Sequence, residues 1–215
     1  MKPIAFVIPW YGEDLKGGAE QFAWQFTHRL ASRGHEVEVL TTCCASFLED
    51  WNENHLDSGE SRTAGNVLVR RFEVVKRDAS AFHAANMRLL DVPRQALDAP
   101  AYSAHLADAA TFEAQNIRSD ALKHFIAEHA DNYHAFVFIP YMYGTTFDGL
   151  GLVADKAFLH PCLHDEIYAR LPQVQQLFTQ CAGLLYNSLG ERYLAEKLYG
   201  PGIHNKGVVC LLYTS

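Results

Sequence analysis

Apolar residues open the chain as a continuous run, Ile4, Ala5, Phe6, Val7 and Ile8, stopped by Pro9. Such a run is the pattern of a central parallel strand covered on both faces. Beyond a polar, glycine-bearing loop, Ala19, Phe22, Ala23, Phe26 and Leu30 recur at helical spacing, and Arg33-Gly34 supplies a cationic last turn and a stop. Val37, Val39 and Leu40 then read as a second strand, so residues 4–40 predict one β-α-β unit with a right-handed crossover.

The pattern weakens over residues 46–65, which are polar, and returns as a strand at Val67, Leu68, Val69, Phe72 and Val74. Residues 80–129 carry alanine, histidine and charge at helical spacing, interrupted near Pro93 and Pro100, and predict two or three helices. Residues 135–139 form another buried-type strand. Residues 157–159 and 183–186 are two more, separated by a helix carrying Val174, Leu177 and Phe178. A last helix over residues 189–199 closes at Gly200-Pro201-Gly202. Strands alternating with helices predict a doubly wound, Rossmann-like α/β domain with a mainly parallel sheet, without internal repeat or low-complexity linker.

Composition narrows the function classes. At 215 residues and 49% hydrophobic content, the chain has ample apolar surface for a core. A formal charge of -7 with no basic run argues against a nucleic-acid partner. No apolar run approaches the ~20 residues that cross a bilayer, and Met1-Lys2-Pro3 leads straight into the first strand without a signal segment, so a cytoplasmic location is expected. Five cysteines are an odd number with no C-x-x-C pair. They read as reduced thiols, most of them buried as small hydrophobes.

Candidate chemistry gathers after the strands. Gly17 and Gly18 sit where the first helix begins, and paired glycines there remove the Cβ atoms that block close approach to unpaired N–H groups. A flexible turn with a helix cap explains the same residues. Gly12, Gly17 and Gly18 lack the dinucleotide G-x-G-x-x-G spacing, and the P-loop lysine and hydroxyl are absent after Gly17. A second cluster, His160-Pro161-Cys162-Leu163-His164-Asp165-Glu166, follows a strand. Pro161 opposes a helical His-x-x-x-His metal pair, so no metal is expected; Asp165 and Glu166 also suit a helix start. Tyr141, Tyr143, Gly144 and Thr145 follow the strand at 135–139 and read equally as an acceptor surface or as packing. Ser188 and Glu191 have capping-box spacing.

Gly17-Gly18-Ala19-Glu20 followed by Gly34-His35-Glu36-Val37 resembles the opening of family 4 glycosyltransferases, which retain anomeric configuration and have the two-domain GT-B fold. The resemblance implies that Gly17 and Gly18 face the interdomain cleft near the donor diphosphate or acceptor, while His35 and Glu36 only turn into the second strand. His164-Asp165 resembles the family's H-D motif, which implies a catalytic His164 beside the transferred sugar, with Asp165 next to it. Ser188 matches the family's serine-containing turn. A nucleotide-diphosphate sugar and a hydroxyl acceptor are the implied substrates, without metal or cofactor, and the missing carboxy-terminal domain would hold the phosphates. Residues 82–129 depart from the family pattern and leave the acceptor open. Residues 1–209 are thus expected to form the amino-terminal domain of a longer enzyme, inactive alone. The last six residues, Cys210-Leu-Leu-Tyr-Thr-Ser215, resemble a translated transposon end from library preparation and are expected to be a non-native tail. Two other readings stay open: half of a GT-B-fold nucleotide-sugar epimerase, and a non-catalytic α/β binding domain.

Overall fold

The computed structural model describes residues 2–97 and 105–210. Eight strands make one sheet: β1 (Ile4–Val7), β2 (Val37–Thr42), β3 (Gly59–Arg62), β4 (Leu68–Phe72), β5 (Ala135–Phe138), β6 (Ala157–Leu159), β7 (Gly183–Tyr186) and β8 (Gly207–Val209). Their order is β3-β4-β2-β1-β5-β6-β7-β8, and every pairing is parallel except β3 with β4. The fold is the doubly wound α/β domain that the alternation of patterns predicts. Seven helices accompany the sheet among the described residues: α1 (Gly18–Ser32), α2 (Ala79–Leu90), α3 (Leu106–Ala114), α4 (Asp120–His129), α5 (Gly144–Gly149), α6 (Pro172–Gln180) and α7 (Leu189–Tyr199).

Strand β1 shows why its run is unbroken. Ala5 and Val7 pack into a layer with Leu89, Phe112, Ile126, Val174 and Phe178 from α2, α3, α4 and α6. Phe6, on the other face, packs with Phe22 and Ala23 of α1. With a helical layer on each side, both faces of β1 demand apolar residues. Parallel strands feed right-handed crossovers, so α1, between β1 and β2, lies on one face, and α5 and α6, leading to strands beyond β5, lie on the other.

Local chemistry sets the ends. Asp78 caps α2, Ser119 caps α4 and Ser188 caps α7, each accepting from a backbone N–H three residues on. Three helices fill the described part of residues 80–129, while the predicted break at Pro100 lies outside the described residues. Besides β8, a three-residue strand at the far edge of the sheet, two elements have no counterpart in the pattern. The first is β3, whose four residues are all exposed: it is an antiparallel edge strand with neither face buried, so its Gly-Glu-Ser-Arg carries no alternation. Its side chains pair instead, Glu60 with Arg70 and Ser61 with Arg71. The second is α5, six residues long and mostly buried, too short for a helical period to show.

All five cysteines are free, with Cys43, Cys44 and Cys181 buried. No helix among the described residues is long and apolar enough to cross a membrane. Of the terminal six residues, Cys210 still donates its N–H to the Tyr186 carbonyl, at 2.7 Å, alongside the β7–β8 ladder. Residues 211–215 lie outside the described residues.

Gly34 ends α1 with φ at +85°, a left-handed conformation that a Cβ disfavours. Gly34→Ala should therefore lower stability by about 1 kcal/mol, read from urea denaturation; an unchanged midpoint would show that the turn relaxes freely.

Candidate functional site

Strand order reverses between β1 and β5, because the chain leaves β1 toward β2 while β5 begins the other half of the sheet. The loops beyond the carboxyl ends of these two strands therefore part, and a crevice opens there. A cleft of about 740 Å³ occupies this position. Gly18, Ala19 and Glu20 of α1 line it together with Met142 and Tyr143 after β5, Cys162 to Asp165 after β6, and Asn187, Ser188 and Glu191 after β7.

The two glycines differ. Gly17 is the N-cap of α1, and the Glu20 carboxylate folds back over it, so a Cβ at that position would meet the carboxylate. Glu20 also accepts from the Trp10 indole N–H. Gly17 is thus explained by its own helix. A Cβ on Gly18 would meet nothing within 4 Å. No side chain caps α1, so its first N–H groups and positive dipole end lie beside the bare Gly18 backbone at the cleft.

Across the cleft, the His160 to Glu166 cluster separates into distinct environments. His160 is fully buried, stacked on Phe22 with 3.6 Å between ring centroids, and its Nδ1 lies 2.8 Å from the Leu185 carbonyl. Burial pushes its pKa down to about 4, so the imidazole is neutral. His164 is exposed and faces the cleft, its side chain making no hydrogen bond to the described residues. The two histidines do not converge, and no group of three or more His, Cys, Asp or Glu suited to a metal exists among the described residues.

Asp165 lines the cleft but is held from behind by Arg170 at 2.8 Å and Arg94 at 3.1 Å. The Arg170 hydrogen bond, assisted by both positive charges, holds its carboxyl below the usual range. Glu166 accepts from the Tyr141 hydroxyl at 2.6 Å. Tyr141 itself is fully buried, its hydroxyl pushed well above its ordinary pKa first by burial and then by Glu166. Gly144 is buried too, donating its N–H to Asn116 at 3.0 Å, and a Cβ there would strike the Ile117 carbonyl. Thr145 is 3% exposed. Of the four positions after β5, only Tyr143 reaches the cleft; Tyr141, Gly144 and Thr145 pack the fold.

Glu191 does more than its spacing implies. Ser188 caps α7 by accepting the Glu191 N–H at 3.1 Å, the expected half of a capping box. The buried carboxylate then bridges two loops, accepting from Leu163 N–H at 2.6 Å and Asn187 N–H at 2.5 Å. Burial raises its pKa, and these two N–H groups oppose the shift. This clamp places the His164 loop beside the Ser188 turn. Glu20, Cys162 and Asn187 also line the cleft and carry no motif of their own. A second concavity, of about 420 Å³, lies at the amino ends of β1 and β2, where His35 and Glu36 form the turn into β2.

No protein-family model matches the chain, and no curated protein matches it. Among solved structures it is similar to one described as trehalose-6-phosphate from E. coli bound with UDP-2-fluoro glucose. The identity is 12%, the TM-score 0.45, and the coverage 92% of this chain and 42% of that one. A structure of alpha,alpha-trehalose 6-phosphate synthase from Burkholderia multivorans gives 14% identity, TM-score 0.45, and coverage of 93% and 43%. The chain spans less than half the length of these structures, and at such scores the likeness adds nothing to what the strand order establishes.

Glu191→Ala should cost about 2 kcal/mol, because it strands the buried Leu163 N–H and frees the more exposed Asn187 N–H; urea denaturation checks it, and a loss below about 1 kcal/mol would contradict the clamp. Asp165 has a folded-state pKa below its unfolded value. Its contribution to stability is therefore present at neutral pH and lost as pH falls through the folded value. The stability gap between the parent protein and Asp165→Asn should be widest at neutral pH and close on acidification, and a gap independent of pH would contradict the ion-pair role.

Proposed function

We propose that residues 1–209 are the amino-terminal, acceptor-side domain of a retaining glycosyltransferase of the GT-B type. The observation that carries this reading is the meeting of bare Gly18 backbone and the exposed His164 imidazole on one cleft at the switch point of the sheet. These are the G-G-A-E and H-D elements of the family 4 resemblance, separated by nearly 150 positions of sequence.

Sugar transfer from a nucleotide-diphosphate donor builds positive charge at the anomeric carbon and negative charge on the departing diphosphate. The site must oppose both with groups fixed before the reaction. The uncapped N–H groups of α1 favour anionic oxygen, and Gly18 lets it approach the backbone. His164 offers a hydrogen bond to a sugar hydroxyl from the opposite wall. Tyr143 and Ser188 add polar contacts beside it, whereas Asp165, already held by two arginines, positions the His164 loop. A second domain, absent from this chain, supplies the remaining charge stabilisation. Residues 210–215 are a non-native tail, and the enzyme works in the cytoplasm without a resident metal or cofactor.

The test is sugar transfer from nucleoside-diphosphate sugars by the coding sequence extended to its carboxy-terminal half. His164→Ala should lower kcat by about 100-fold or more with the fold retained, Gly18→Trp should abolish transfer by filling the hollow, and the 215-residue chain alone should be inactive. Full activity in either variant, or transfer by the 215-residue chain, would refute the assignment.

A further inference from the structure

Beside the cleft, on the far side of Met142 and Tyr143, lies a second cavity of about 500 Å³. It falls in the size range of small-ligand sites. Its wall is a continuous series of rings. Tyr143 meets Trp51 edge-on at 5.9 Å, Trp51 meets Phe82 at 5.4 Å, Phe82 stacks on Phe112 at 5.1 Å, and Phe112 stacks on Tyr168 at 5.0 Å. Faces of this kind suit the C–H surface of a sugar ring as well as any apolar group.

Arg77 also lines this cavity. Its guanidinium lies 4.7 Å from the Trp51 ring and 4.8 Å from the Phe82 ring. Nη1 donates to the Gln115 carbonyl at 3.1 Å, but the buried Nε–H has no acceptor. No carboxylate among the described residues lies in ion-pair range of Arg77: Glu49, which shares the lining, is 3.6 Å from His55 instead, and Asp50 acts on Arg77 only through space. Arg77 is half-buried, and a partly desolvated guanidinium without an anion is stabilised by one that reaches it. Planar and stacked, it is preorganised to take a carboxylate or phosphate in a bidentate grip.

We propose that this cavity binds an anionic saccharide, its ring against Trp51 and Phe82 and its carboxylate or phosphate on Arg77. A neutral sugar would leave the guanidinium uncompensated, and an inorganic anion would leave the aromatic wall bare. The shared wall at Met142 and Tyr143 brings the bound sugar's hydroxyls to the edge of the Gly18–His164 cleft, so the occupant is the acceptor. That last step rests on the glycosyltransferase reading; the binding itself does not.

The test is titration of the 215-residue protein, followed by tryptophan fluorescence, since Trp51 forms part of the wall. The probes are glucuronate and galacturonate, glucose 6-phosphate and mannose 6-phosphate, with glucose and inorganic phosphate as controls. At least one acidic sugar should bind about tenfold or more tightly than either control, and the uronate and phosphate arms identify which anion is preferred. Arg77→Gln should abolish that preference, and Phe82→Ala should weaken every sugar. Should Arg77→Gln fail to fold, a salt series on the parent protein gives the same information, because added salt should weaken the acidic sugars and leave glucose unchanged. Equal affinity for acidic and neutral sugars, a preference that survives Arg77→Gln or salt, or no saturable binding by any probe would overturn the proposal. Any of these results would leave the His164 and Gly18 transfer assay untouched, so the two readings fail separately.

Discussion

One buried carboxylate holds the candidate site in register. Glu191 accepts a backbone N–H from the loop after β6 and another from the loop after β7, and so ties together two loops that the parallel sheet only brings near. The sheet supplies the crevice through the reversal of strand order between β1 and β5. Other bonds hold the same loop to its own side of the site, among them the Asp165 ion pairs, the Tyr141 hydroxyl on Glu166 and the Tyr141 N–H on the Pro161 carbonyl. A carboxylate suits this duty because each donor meets its own oxygen, Leu163 at Oε1 and Asn187 at Oε2, whereas an amide in the same place would turn its NH2 toward one of them.

Around that clamp, burial divides the titratable groups into those that build and those that remain available. His160 and Tyr141 face inward with their protons settled chiefly by burial, and Glu166 accepts from the Tyr141 hydroxyl. Asp165 is neutralised by arginines behind it. Exposed His164 and the uncapped end of α1 are left facing the cleft, on opposite walls. A similar sorting separates the two cavities that share Tyr143. The larger is bordered by main chain and a mixture of polar and apolar side chains, while the smaller is walled by aromatic rings around a single stacked guanidinium.

Much of this is legible in the sequence for a simple reason: a parallel sheet covered on both faces writes its strands as unbroken apolar runs, as at residues 4–8 and 135–139. The capping serine at 188 and the stop at Gly34 are equally local signals. Features made by distant pairing are not. The carboxylate of Glu191 has capping-box spacing, and nothing in that spacing announces its reach to Leu163, 28 residues away. Edge strand β3 buries no face and so shows no period. Among the aromatics after β5, Tyr141 and Tyr143 look alike in sequence, yet one is sealed against Glu166 and the other lines both cavities. The stacking of Arg77 on Trp51 and Phe82 likewise depends on how α2 packs beside the loop after β2, which local spacing does not encode.

The central claim is that the bare start of α1 and the His164 imidazole meet a common ligand. Amide and imidazole NMR shifts of the isotope-labelled protein extended to its carboxy-terminal half, followed during titration with nucleoside-diphosphate sugars, test it directly. The account predicts saturable changes at Gly18, Ala19 and His164 together, with one common affinity. Changes confined to the opposite concavity around His35 and Glu36, or Gly18 and His164 responding to different ligands, would contradict it.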